Sequence, residues 1–482
     1  MHAAPPSTES HSHVFDAALI RVPVLALLFT AAAVLEAGRL TSLSSLSAAD
    51  IWWHLRTGTW ILQNHAFPHS GLFSQSAQVG WISPSWLFDL KVAIWYRWLG
   101  LRAIPILLMG SKVALAVVTF LLAGGLRGKF WFAAALSAVA QCVLGALQTS
   151  PTYGSILFLA VELVWLNESR RGNIRFLYWL PALFLIWANV DMQFIYGLAA
   201  LLFFVAASVW QDRALSASRA AVVLGASAIV TLITPYSYHL YYVFFSDLTS
   251  AANQNFPNFH AMGFHQPQDY VLLLLTMSAF LALGLRRSRD AFQIALLIGC
   301  ALLSFYERRE TWLVVLASVC VLGDACAKPR SEERPRARHV LVAAALSIIV
   351  FVVASARISR DPQALVAKAG QSYPVAACNY IRDRGLPQPL FNTYEWGGFL
   401  TWYLPDYPVA IDTRPALYAE DFVTQYYQVM NANVPFTAYS AMTEARTLLL
   451  PRDSLMGEAL SGLPRFKVAY SDAVAVVLES QD

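Results

Sequence analysis

The sequence predicts an all-α polytopic membrane bundle of about eleven transmembrane helices, followed by a small external α/β domain. Three observations predict it. Charged residues make up 13% of the chain and hydrophobic residues 57%, whereas a soluble protein carries roughly a quarter charged residues. Apolar runs of spanning length recur from the N-terminus to about residue 356. The Lys and Arg residues between those runs fall on alternate loops, as the positive-inside rule requires.

The runs lie near 19–38, 101–124, 130–148, 152–167, 176–190, 194–210, 220–235, 270–285, 291–306, 310–325 and 340–356. With a cytoplasmic N-terminus, the cytoplasmic loops hold Arg127 and Lys129; Arg170, Arg171 and Arg175; Arg213 and Arg219; Arg286, Arg287 and Arg289; and the "KPRSEERPRAR" stretch at 328–338, which reads as a solvated linker. The opposite loops at 149–151, 191–193 and 236–269 hold no Lys or Arg. The exceptions are the first loop and the pair Arg308/Arg309. An odd number of spans puts the C-terminal segment outside. The chain divides into a transmembrane domain, 1–357, with an external loop at 39–100, and an extracytoplasmic domain, 358–482. The first run reads as an anchor or a signal sequence, and in either case the first loop is external. Cys378 is the one cysteine of the outer segment, so no disulfide forms within it, and no Cys/His pair has zinc spacing.

The first external loop opens on "ADIWWHLRTG" (49–58), ionisable groups set among indoles. As a helix, it puts Asp50 and His54 one turn apart on one face, with Trp52, Arg56 and Trp60 on another and Trp53 beside the acid. Indoles settle at membrane–water boundaries. A second ribbon, "PSWLFDLKVAIWYRWLG" (84–100), reads as another interfacial helix. A carboxylate at that boundary can act as general base on an acceptor from water while a lipid-borne donor sits in the bilayer. It can equally cap its helix through backbone N–H groups.

"DIWWHLRTGTWILQNHAFPHSGLFS", followed by "WISPSWLFDL", resembles the first external loop of the bacterial GT-C superfamily of lipid-phosphate-sugar-dependent glycosyltransferases. That family carries D-x-W-W-H-L-x-x-G, then P-x-x-D-x-F-S, then W-x-x-x-x-W-L. Here Ser70 or Gly71 stands where the second acid is expected, and no D-x-D pair surrounds Asp50. Weaker resemblances follow in order at "LIWANVDMQFIYGL" (185–198), "TLITPYSYHLYY" (231–242), "SFYERRETW" (304–312) and "FNTYEWGGFLTWYLPDYPVAIDTRPALY" (391–418). The resemblance implies a GT-C-like bundle in the bacterial inner membrane, a polyprenyl-phosphate sugar donor, and a glycan, lipid or protein acceptor outside.

On this reading Asp50 is the base, His54 assists and Asp191 faces the same cavity; as a plain turn residue, Asp191 needs no such role. Arg309, in preference to Arg308, of "ERRE" clamps the donor phosphate, since Arg binds phosphate bidentately and keeps its charge in low dielectric. The alternative is a turn neutralised by Glu307 and Glu310. Trp52, Trp53, Arg56, Trp396, Asp412, Arg414 and Tyr418 are candidate substrate contacts, with a structural Asp412–Arg414 pair as the competing expectation. The aromatic loop 236–269 suits stacking on sugar rings or an ordinary lid. In the outer segment, "PVAID" and "FKVAYSDAVAVVLES" read as strands, 374–384 and 420–432 as helices, and "WGG" as a tight turn. A cofactor or metal is not assigned by the sequence. No phosphate loop, nucleophile elbow or nucleic-acid signature is present. Two other functions fit the same composition: a flippase of lipid-linked precursors, with Glu162 as its intramembrane acid, and a non-catalytic scaffold.

Overall fold

The computed structural model describes residues 10–39, 49–125, 130–145, 149–211, 214–256, 259–325, 337–414 and 416–481. Arg127, Lys129, Arg213 and the linker at 328–336 lie outside the described residues.

Every expected span has a helix. The chain opens with α1 (Ser10–Arg39), and the first loop supplies α2 (Ala49–Asn64) and α3 (Trp86–Leu99). Then come α4 (Ala103–Leu122), α5 (Phe130–Leu144), α6 (Thr152–Arg170), α7 (Leu180–Val190), α8 (Phe194–Trp210) and α9 (Ala214–Val230). A loop helix, α10 (His239–Thr249), precedes α11 (Pro267–Leu285), α12 (Ala291–Tyr306), α13 (Thr311–Ala325) and α14 (Ala337–Ala356). Ile20–Ala37, Trp86–Leu122 and Pro267–Leu285 are long and apolar enough to cross a membrane, and shorter apolar helices accompany them. The mostly helical architecture with several apolar helices, followed by a small mixed sheet, is the one the sequence leads one to expect.

The position of each helix follows from which of its faces are apolar. In α13 every residue from Trp312 to Gly323 is buried. A helix apolar all round belongs at the centre, and α13 packs against α4, α5, α6, α11 and α12. At the edge, α1 packs on α4 and α14. Inside that contact the ammonium of Lys112 meets Glu36 at 2.7 Å, so two buried charges neutralise each other.

The C-terminal segment contains α15 (Pro362–Ala369), α16 (Val375–Arg384), α17 (Tyr394–Tyr403), α18 (Glu420–Met430), α19 (Ser440–Thr443) and α20 (Leu455–Ser461). Its strands are β1 (Leu390–Asn392), β2 (Thr447–Pro451), β3 (Phe466–Ser471) and β4 (Ala475–Ser480). They form one sheet in the order β1-β2-β4-β3, parallel only between β1 and β2. Leu449 faces Val477, and a register shift near Val468 and Tyr470 bends β3.

Two local expectations are corrected. "PVAID" does not join the sheet; Val409 instead bridges Ser74 of the first loop, its N–H donating to the Phe73 carbonyl while the Gln75 N–H donates to its own. "WGG" lies inside α17 and is not a turn. Gly397 is required there by close approach, because a Cβ would stand 2.1 Å from the Ile411 carbonyl oxygen.

One apolar core runs through both parts of the chain. Ile51, Trp52, Leu55 and Phe88 of the first loop share it with Ile104 and Met109 of α4 and with Cys378, Phe399, Leu449 and Val477 of the outer segment. The buried faces of the first-loop helices are therefore covered by the C-terminal segment as well as by the bundle end.

Candidate active site at the seam of loop and outer domain

Asp50 lies in the first turn of α2, where the helix dipole favours a carboxylate. It is exposed. Burial, and then the charge of Asp50, push the Tyr373 and Tyr394 phenols of the outer domain above their usual range. Asp50 directly precedes Ile51 and Trp52, which pack against the C-terminal segment, so it stands at the edge of that contact. Trp52, two residues on, is fully buried in an aromatic box: Trp402 is stacked at 4.8 Å, Phe399 edge-on at 5.1 Å and Tyr373 edge-on at 5.7 Å. Arg56 lies over the Phe73 ring at 4.8 Å; burial lowers its pKa, opposed by Asp406.

His54 does not share the exposure of Asp50. It is 3% exposed, and its Nδ1 lies 2.5 Å from Asp89 Oδ1. The Ser83 hydroxyl donates to the other Asp89 oxygen. Helix α2 sinks beneath the outer domain within one turn, so two residues of one helical face end in different environments. Trp53 stacks on the His54 ring at 3.6 Å and meets Trp81 edge-on. Arg414 lies over Trp81 at 5.1 Å.

Arg414 is committed to structure. Its guanidinium donates to both oxygens of Asp412, to Oδ2 at 2.7 Å and to Oδ1 at 3.0 Å, with both side chains 0% exposed. It also donates to the Leu72 carbonyl of the first loop at 2.6 Å. Burial pulls its pKa down, and Asp412 raises it above the ordinary value. Tyr418 packs beside Trp53, Trp81 and Leu417. Trp396 donates its indole N–H to the Ser372 carbonyl.

Asp191 sits in the turn between α7 and α8, 5% exposed. The Ser155 hydroxyl donates to it at 2.6 Å, and the Trp187 indole donates to Ser155 in turn. Burial pushes the Asp191 pKa up to about 6, with Ser155, backbone N–H groups and the charge of His54 pulling the other way. His54, Asp89 and Ser83 form one buried hydrogen-bonded group, and Asp191, Ser155 and Trp187 another; the sequence reading did not single out Asp89 or Ser83. Asp89 lies within the quoted "WLFDL", but nothing local marks its pairing with a histidine 35 positions away.

The arginines form a separate group at the bundle end. Arg308, about one-third exposed, pairs with Asp269 at 3.2 Å. That acid also completes the capping box of α11. Arg309 is held by Asp247 at 2.9 Å, Glu310 at 3.0 Å and Glu307 at 3.5 Å. Its guanidinium lies over Phe259 at 4.1 Å. From there the rings continue through Phe256 (5.8 Å) to Tyr394 (5.1 Å), whose phenol is held above its usual range by burial and then by the charge of Asp50. The loop 236–269 thus contributes an aromatic wall between the arginine group and the seam.

Glu162 is fully buried in α6, and neither carboxylate oxygen has a hydrogen-bond partner. It packs beside Gly197, where a Cβ would lie 2.7 Å from its Oε2 and 2.4 Å from Trp187. Among the described residues, no three His, Cys, Asp or Glu gather in a metal-holding arrangement.

Comparison with protein-family models finds no match, and none of the curated proteins matches. Solved structures do match. ArnT from Cupriavidus metallidurans bound to undecaprenyl phosphate is similar over 94% of this chain and 97% of its own, with a TM-score of 0.50 and 16% identity. The apo state of the same protein is similar over 97% and 98%, with a TM-score of 0.50 and 14% identity. The likeness is one of fold across nearly the full length.

Proposed function

We propose that the chain is a membrane glycosyltransferase that moves a sugar from a polyprenyl-phosphate donor to an acceptor on the extracytoplasmic side of a bacterial inner membrane. One observation carries the reading: an exposed carboxylate, Asp50, stands at the head of a helix fixed on its other faces, at one end of the aromatic wall that leads to the arginine group. The ArnT-like fold, in a protein seen with undecaprenyl phosphate, agrees with it.

Asp50 takes the proton from an acceptor hydroxyl as that oxygen attacks the anomeric carbon. The bond to the phosphate oxygen breaks, inversion follows, and the polyprenyl phosphate leaves with its electron pair. The proton stays on Asp50 until water removes it. Arg308, with one carboxylate partner, supplies the charge for the leaving phosphate; Arg309 fixes the turn beneath it. His54 and Asp89 act as positioning residues, holding α2 so that Asp50 keeps its place. Asp191 supports the same region. Trp52, Trp53, Trp396 and Tyr418 shape the seam, and Arg56 borders it. The Asp412–Arg414 pair holds the outer domain to the first loop.

The test is Asp50→Asn in purified protein reconstituted with a labelled polyprenyl-phosphate sugar. Transfer falls by at least about 100-fold, as expected on losing a general base, while the melting profile is unchanged. Full turnover by the variant removes Asp50 as the base. Movement of lipid-linked precursors is the competing reading, and the unpaired Glu162 favours it. Loss of lipid translocation in Glu162→Gln, with no sugar transfer in either protein, would establish that reading instead.

A further inference from the structure

We propose that the groove between α3 and the end of α7 binds an anionic phospholipid of the surrounding leaflet, with the lipid phosphate at Lys91. This is a separate site from the one assigned to Asp50. The groove has a volume of about 320 Å³ and is lined by Leu87, Phe88, Leu90, Lys91, Ile94 and Trp95 with Val190. Its lining is apolar except for one cation. That volume is at the lower end for ligand cavities, which run from roughly 300 Å³, and suits a length of hydrocarbon chain with its headgroup outside.

Lys91 supplies the charge complementarity. It makes no ion pair with any described residue, and its ammonium stands 4.7 Å from the centre of the Phe88 ring. Arg170, Arg171, Arg308 and Arg309 are already neutralised by Asp290, Asp324, Asp269 and Asp247. A lysine beside an apolar groove on an interfacial helix extends its stem over the greasy surface and offers its ammonium to a headgroup. Trp95 and Trp98, 42% and 82% exposed on the same helix, place this surface at the lipid boundary.

The occupant is a bilayer lipid and not the sugar donor because Phe88 stands between. Its ring is 4% exposed, with His54 edge-on at 5.0 Å and Lys91 against it. A phosphate at Lys91 therefore has the Phe88 ring between it and His54.

The experiment uses the full chain in nanodiscs of phosphatidylcholine doped with phosphatidylglycerol, followed by detergent extraction and native mass spectrometry. The wild type and Lys91→Arg retain phosphatidylglycerol at least about tenfold over phosphatidylcholine. Lys91→Gln loses that preference, and Leu87→Trp, which fills the groove and leaves the charge in place, loses it too. Equal retention of the two lipids by the wild type overturns the proposal, as does undiminished preference in either loss variant. Displacement of phosphatidylglycerol by undecaprenyl phosphate, with a raised donor KM in Lys91→Gln, also overturns it by making the groove a donor site. Asp50→Asn keeps the lipid preference, so failure of the transferase reading leaves this result unaffected.

Discussion

Asp89 closes on His54 at 2.5 Å, across two helices of the first loop, with both side chains almost wholly buried. A buried hydrogen bond joins α2 to α3, and such a bond contributes about 0.5–1.5 kcal/mol. Asp89→Asn should therefore lower the thermal midpoint measurably, while Asp50→Asn, at an exposed site, should not. If Asp89 acts only by holding α2, kcat falls in Asp89→Asn and the pH dependence of the residual transfer keeps its wild-type shape. A displaced pH profile would make Asp89 a participant in proton transfer.

Gly58 permits that closure. A Cβ there would stand 2.0 Å from the Asp89 carbonyl oxygen, which is backbone and cannot swing aside. Gly58→Ala should force α3 away from α2 and separate Asp89 from His54, with loss of folded yield and transfer. Gly225 meets nothing within 4 Å in α9, so Gly225→Ala should be neutral or stabilise by up to about 1 kcal/mol. Thermal melts of the two variants side by side test the contrast.

Asp191 carries the pH dependence. Its pKa in the folded chain is raised to about 6, so folding favours the protonated acid. The contribution is complete below the ordinary carboxylate pKa of about 4 and is lost as pH rises through about 6. The melting temperature should decline across that window, beyond the trend set by other groups. Asp191→Asn should flatten the decline. An unchanged pH profile in the variant would assign the titration elsewhere.

The two arginines should respond differently. Arg309 neutralises Asp247, Glu307 and Glu310, and its removal leaves three carboxylates crowded without their cation. Stranding a buried charge costs roughly 3–5 kcal/mol, and Arg309→Ala should fail to fold stably. Arg308 is more exposed and has one partner. Arg308→Ala should fold, and its defect should appear in donor use. Size-exclusion profiles and donor KM values separate the two outcomes.

The spans were legible because hydrophobicity and loop charge are local quantities that each segment carries by itself. The helices at 291–306 and 311–325 begin and end within a residue or two of the apolar runs. The candidate site was legible only in part. Asp50 is marked by its place among indoles, but its exposure beside a buried His54 depends on where the outer domain lands. The Asp89 partnership and the aromatic wall from Phe259 to Tyr394 are long-range pairings with no periodic signature. "PVAID" has the composition of a sheet strand; its hydrogen bonds are taken by the first loop, a choice made by tertiary geometry.

The bridge between Ser74 and Val409, and the Gln75 amide on the Leu390 carbonyl 315 positions away, also set an order of events during synthesis. Residues 66–85 leave the ribosome early, yet their partners emerge only after the last span has been made. Through most of translation the loop waits unfinished at the membrane face. A chain that stalls before its final third would be left with its first loop unanchored.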